Sequence, residues 1–347
     1  MKEYERNYAY DYLRILASFG VIILHLAAQM YDAINIYSSE WQALNFYDSI
    51  VRWTVPVFVM ISGALFLSKD VPIKKIYLHY IPRLAAAYIF WSMVYSVAAS
   101  AGDGFKEHKI IWQSGYFHMW YVPMCIGLYM LLPILKQITI NKHVAYYYLL
   151  VSFIFAFLLP TLSSFTNDFG FQWMKSSNLV IKDFAANMNM KLVAGYSAYF
   201  VLGYVLSKIE LSPAKRLFIY VLGVSGFLFT ILATLFASYQ KAKPVTYYDN
   251  FTANVLLQSI AVFTAFRYMD FKNDKANKIA AYMAKCSFGA YLVHALIMET
   301  LSSVFHINTM TFNPGLSVPL LGCIIFAASY AISFILNRIP VVNRYVV

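Results

Sequence analysis

Residues 11–29 read DYLRILASFGVIILHLAAQ, an apolar run broken by five polar side chains: Asp11, Arg14, Ser18, His25 and Gln29. At about 100° per residue, Arg14 and His25 come within about 20° of each other around a helix, and the other three fall inside a sector of about 60°. The run therefore reads as a helix with one polar face. Ionisable groups on a helix in lipid cost roughly 2.5–3.5 kcal/mol each on insertion scales, so this face is expected to turn toward protein or a watery cavity.

The rest of the chain supports a membrane setting. Of 347 residues, 61% are hydrophobic, 18% aromatic and only 12% charged, against about a quarter charged in soluble domains. Apolar runs of near-crossing length recur at about 11–30, 46–68, 77–100, 118–136, 144–163, 192–208, 215–238, 251–269, 280–303 and 315–337. Runs of this kind suit a hydrocarbon core of roughly 30 Å. The sixth is short and contains glycine. The expected fold is an all-α polytopic membrane protein of about ten transmembrane helices, with residues 1–347 forming one transmembrane domain.

The net charge of +11 is spread over alternate connections rather than gathered in one patch, so no nucleic-acid partner is expected. With the N-terminus inside, 19 of the 27 Lys and Arg residues fall on the inner side. That bias places both termini in the cytoplasm and agrees with an even number of crossings. The basic start and first apolar run resemble a secretory signal, but no small-x-small cleavage pattern follows, so a retained helix is expected. Cys125, Cys286 and Cys323 lie in or near apolar runs and read as small core residues, without a disulfide framework. The outer stretch 164–191 is long and aromatic, which suits a lid, a binding loop or a surface-lying amphipathic segment. No convincing internal repeat is present.

Two residues of the polar face carry chemistry. A lone arginine near the inner surface is ordinarily an anchor that snorkels to headgroups. Its alignment with His25, about 16 Å further along a helix, points instead to a shared site. An imidazole titrating near neutrality suits a general base. The sequence holds no P-loop, G-x-S-x-G elbow, H-E-x-x-H or paired-cysteine pattern, so no metal is expected.

Arginine and histidine separated by ten residues in the first run, VPVFVMISGALFL in the second, HYIPRLAAAY in the third, FHMWYVPMCIGLYMLLPIL in the fourth and CSFGAYLVHALIM in the ninth occur in order. Together they resemble the membrane-bound acyltransferase type 3 family, as a stand-alone ten-helix member without a fused extracellular hydrolase-like domain. The resemblance implies O-acyl transfer, most often of acetyl from cytoplasmic acetyl-CoA, to a hydroxyl of a bacterial cell-envelope glycan or lipid-linked saccharide. It also implies a site in the cytoplasmic (inner) membrane; a homo-oligomer is compatible with it.

In that frame Arg14 and His25 are the catalytic pair, His25 acting as general base or transient acyl carrier. Arg14, Arg83 and Lys75 are the residues that would meet CoA phosphates. The family often carries two basic residues three apart in the third helix; here Tyr80 stands where the first would fall, with His79, Lys74 and Lys75 nearby. Ser62, His118, Trp120, Tyr291 and His294 are candidates for substrate binding. The plainer readings are close helix packing for Ser62 with Gly63, an interfacial aromatic belt for His118 and Trp120, and a structural role for His294; Glu299 follows five residues later, and with Tyr291 and His294 it makes a polar cluster expected to face the same cavity. A transporter or flippase using the polar face as a relay is the alternative, and a membrane scaffold for envelope synthesis a third.

Overall fold

The structure is a computed structural model that describes residues 6–101, 115–171, 173–175, 178 and 194–347. The described residues form helices and no strand, as expected of an all-α protein. The opening run becomes α1 (Tyr8–Ala28). Its start is fixed by Asn7, whose side chain accepts the Ala9 amide at 3.0 Å and meets one of the unpaired donors of a first helical turn.

Prolines set several of the later boundaries. The run expected at 46–68 is two helices, α2 (Ser39–Val51) and α3 (Thr54–Phe66), interrupted at Arg52 and Trp53. Pro56 has no amide to give the Arg52 carbonyl, so the ladder cannot run unbroken through this point. Helix α4 (Ile81–Ala101) is entered through a wide π-helical turn at Ile76–Tyr80, just ahead of Pro82. Helix α5 (Tyr121–Ile140) carries Pro133 inside it. Helix α6 (Lys142–Phe169) widens to a π segment at Phe153–Leu158, again just ahead of a proline, Pro160.

The chain continues through α7 (Tyr196–Lys208), α8 (Pro213–Lys241), α9 (Ala253–Arg267), α10 (Asp274–Ser303), α11 (Pro314–Leu336) and the short α12 (Pro340–Tyr345). Among the described residues, eight helical runs of 20–30 residues are long and apolar enough to cross a membrane. They are α1, α2 with α3, α4 with its entry turn, α5, α6, α8, α10 and α11. The other two expected runs form α7, of 13 residues, and α9, of 15. At 1.5 Å per residue these rise about 20–22 Å, less than a hydrocarbon core. The stretch expected as a loop at 164–191 is helical to Phe169; residues 172, 176–177 and 179–193 lie outside the described residues.

The chain divides into two compact units, one of Met1–Met30, Val71–Pro133 and Asp270–Val347, the other of Tyr31–Asp70 and Ile134–Met269. In the first, α1 packs against α10 and α11. Gly322 of α11 permits the approach, since a Cβ there would stand 2.5 Å from Ile23 Cδ1 of α1. In the second, α3 and α7 meet backbone to backbone. A Cβ on Gly63 would lie 1.8 Å from the Phe200 carbonyl oxygen, and one on Gly203 would lie 2.0 Å from that of Met60. Leu217, Val221, Val224, Leu228 and Leu232 form an exposed apolar stripe on α8 at helical spacing, a surface suited to lipid.

Candidate active site

The polar face of α1 divides by role. Asp11 is buried and takes two hydrogen bonds from Arg6, at 2.6 and 3.0 Å, while Arg6 also donates to the Ala281 carbonyl of α10 at 3.1 Å. This pair fastens the start of α1 to α10. Ser18 donates to the Arg14 carbonyl one turn back, at 2.9 Å. Gln29 Oε1 is buried with no hydrogen-bond partner. Asp11 and Ser18 are thus structural members of the stripe, which leaves Arg14, His25 and Gln29 as its remaining members.

At the Arg14 end the expected phosphate-binding cations gather around aromatic rings. Arg14 and Arg83 both lie within electrostatic reach of the Tyr129 hydroxyl on α5. The Tyr80 and Tyr129 rings are 6.1 Å apart, and Lys75 Nζ stands 5.6 Å from the Tyr80 centroid. Tyr80 therefore belongs to the cluster even though it occupies the place of a base. Arg83 is exposed and donates to the Val347 backbone oxygen at 2.7 Å, so part of its hydrogen-bonding capacity is spent within the protein.

At the other end three imidazoles meet. The His25 ring stacks on His294 of α10, with centroids 5.3 Å apart and planes 22° from parallel. His118, in the turn before α5, stands edge-on to His294 at 4.9 Å and lies 6.4 Å from His25. His118 and His294 are each only 1% exposed, whereas His25 is half-buried beside the exposed ring of Phe117 at 5.0 Å. His118 is therefore not a surface belt residue: the packing of α4 and α10 encloses it. Trp120, two residues on, is exposed and packs on Tyr121, as a belt residue would.

Two tyrosines hold this cluster. Tyr291 donates to the His118 carbonyl at 2.5 Å. Tyr95, fully buried on α4, donates to the Leu292 carbonyl at 2.8 Å and accepts the Leu296 amide at 3.0 Å, joining the α10 ladder beside His294. Tyr95 also stacks on Tyr116 at 4.6 Å. Neither Tyr95 nor Phe117 stands out in a chain of 29 tyrosines and 28 phenylalanines; only packing from distant segments reveals them.

His118 and His294 have unused polar capacity. His294 Nδ1 sits 2.5 Å from the Tyr291 carbonyl, while its Nε2 is buried without a partner. Neither ring nitrogen of His118 completes a hydrogen bond, although the Leu292 carbonyl lies near the ring. A buried polar atom left unpaired costs about 1–3 kcal/mol, a cost that concentrates here beside the half-open His25. Among the described residues no group of three or more His, Cys, Asp or Glu side chains is arranged to hold a metal.

Ser62 lies in the second unit and donates to the Phe58 carbonyl one turn back, at 2.9 Å, in keeping with the packing role of the adjacent Gly63. That unit holds a buried polar group which the sequence reading did not single out. Trp41, Asn45, Asp48 and Arg52 follow one another at helical spacing; Asp48 pairs with Arg52, the Arg52 guanidinium lies 4.1 Å over the Tyr248 ring, and Tyr248 donates to Asn45 at 2.6 Å. Burial pushes the hydroxyls of Tyr31 and Tyr248 above the usual phenol range, so both remain neutral hydrogen-bonding groups. The spacing 41, 45, 48, 52 was the available signal.

An arginine beside an aromatic-lined cationic cluster, and an imidazole three turns away on the same helix, together suit a thioester donor carrying phosphates and an acceptor that must lose a proton. No curated protein and no solved structure matches the chain. A family model described as an acyltransferase domain matches residues 7–338. That match takes in α1 through α11 and every residue of both clusters, and the protein accordingly belongs to the acyltransferase 3 family of membrane acyltransferases.

Proposed function

We propose that this acyltransferase moves an acyl group, acetyl by preference, from acyl-CoA at the inner face of the cytoplasmic membrane to a hydroxyl of a cell-envelope glycan or lipid-linked saccharide. Both termini then face the cytoplasm. The observation that carries the reading is the pairing on α1: Arg14 among the cations around Tyr80 and Tyr129, and His25 among three imidazoles about 16 Å further along. Arg14, with Arg83 and Lys75, meets the CoA phosphates by charge and forked hydrogen bonding. The flexible pantetheine arm carries the thioester along the helix toward His25.

The chemistry follows from the imidazole. A neutral His25 ring takes the proton of the acceptor hydroxyl as the oxygen attacks the thioester carbonyl. The new C–O bond forms, the C–S bond breaks, and the CoA thiolate leaves with the proton that His25 had taken. Trp120, near the surface, is the proposed contact for substrate groups, while His118, Tyr291 and His294 pack around and behind the His25 ring.

Inside-out membrane vesicles from cells making the protein test this directly, because they present the CoA site outward and contain the native acceptor. Radiolabel from acetyl-CoA is expected to enter envelope material with the wild-type chain. His25→Ala should lower this at least about 100-fold, the usual lower range for losing a general base. Arg14→Ala should abolish transfer while the protein still folds and inserts, and Arg83→Ala should chiefly raise the apparent KM for acetyl-CoA. Normal transfer in both the His25 and Arg14 variants, or solute movement without any CoA dependence, would overturn the reading, the second in favour of transport.

A further inference from the structure

His294 shows an asymmetry that its stacking partner makes meaningful. Its Nδ1 lies 2.5 Å from the Tyr291 carbonyl. A carbonyl only accepts, so Nδ1 carries the hydrogen and Nε2 is left as a bare lone pair. That lone pair is enclosed and meets no donor, while the ring carrying it is stacked on His25 at 5.3 Å. Tyr95, joined to the Leu292–Leu296 step of the same helix, fixes the backbone on which His294 stands. His118 stands edge-on to His294 at 4.9 Å and borders His25 as well, at 6.4 Å.

An acceptor held in one tautomer beside the base has a specific use once that base is charged. We propose that His294 is the positioning residue of His25, holding its ring by stacking and accepting at Nε2 the N–H that the His25 imidazolium presents. This inference rests on the proposed role of His25 as the base. In the resting state the rings stack; the proposed bond to Nε2 forms when the charged His25 ring leaves that stacked orientation. The proton taken from the acceptor hydroxyl stays on His25 until the CoA thiolate receives it, so His294 ends each cycle unchanged. The arrangement parallels a base oriented by a third group, with a neutral imidazole in place of a carboxylate. Because His294 is buried and His25 half-exposed, substrate meets His25 first.

Variants that divide the two nitrogens supply the test, again with inside-out vesicles and labelled acetyl-CoA. His294→Asn keeps a donor near Nδ1 and removes the Nε2 acceptor; His294→Gln keeps a polar atom near Nε2. The Asn variant is expected to lose about 10- to 100-fold in kcat with the KM for acetyl-CoA within twofold, and the Gln variant to recover at least several-fold of that loss. Thermal stabilisation by CoA confirms that each variant is folded. Wild-type kcat in the Asn variant, or a Gln variant no better than Asn, overturns the role of His294 while leaving a defective His25→Ala intact as support for the base. Normal transfer by His25→Ala overturns the base itself. If the Asn variant does not fold, the Gln variant alone decides: kcat within about 30-fold of wild type sustains the proposal, and a larger loss rejects it.

Discussion

At the scale of single residues, the site depends on side chains whose hydrogen bonds leave little freedom. Tyr95 makes two bonds to the backbone of α10 from a fully buried position. Tyr95→Phe removes both and leaves a carbonyl and an amide of that turn less well satisfied, so a loss of about 1–3 kcal/mol is expected. A lowered melting temperature with CoA affinity unchanged in a binding titration is the result to look for. Ser62 presents the opposite case, since its hydroxyl is committed to its own helix. Ser62→Ala is expected to keep transfer within about twofold of wild type in the vesicle assay; a larger loss would restore it as a substrate contact. Arg14 and His25 were legible in the sequence because both belong to one helix and helical periodicity alone aligns them. His118 was not, because FHMWY reads locally as an interfacial segment and its burial comes from α4 and α10, far away in sequence.

At the scale of elements, close approach and proline decide more than hydropathy does. The reciprocal contacts of Gly63 with Phe200 and of Gly203 with Met60 leave no room for a methyl group against main-chain atoms. Gly63→Ala is therefore expected to force α3 and α7 apart, costing at least about 1–3 kcal/mol, visible as lower yield of folded protein and a lower melting temperature. Gly127, where an added Cβ meets nothing within 4 Å, supplies the control: Gly127→Ala should be neutral or slightly stabilising. Most helices were legible from their apolar runs. The break at Arg52–Trp53 and the π turns before Pro82 and Pro160 were not, because a proline announces a missing donor without saying whether the chain will break, widen or bend.

At the scale of the whole molecule, the described residues hold eight long helices and the two short ones α7 and α9, and the expected ten crossings require both short helices to cross. Ten crossings put Lys243 outside and Lys272 inside, on either side of α9. With Cys125, Cys286 and Cys323 replaced by serine or alanine, a membrane-impermeant thiol reagent should label Lys243→Cys in intact cells and Lys272→Cys only after permeabilisation. Equal labelling of both in intact cells would mean that α9 does not cross. The positive-inside bias supplies an expected topology from the charges alone, whereas the shortness of α7 and α9 became visible only in the structure.

The central claim is that the protein transfers an acyl group from CoA using the imidazole of His25. The most direct measurement is mass analysis of envelope glycans from cells that lack the chain, complemented with either wild-type protein or His25→Ala at matched membrane levels. The wild-type chain should restore a discrete set of acylated species, most simply a 42 Da acetyl increment on one class of glycan, as expected from replacing a hydroxyl hydrogen by acetyl (about 42 Da) in the group transfer described above. The His25→Ala chain should restore none, and equal restoration by both chains would contradict the account.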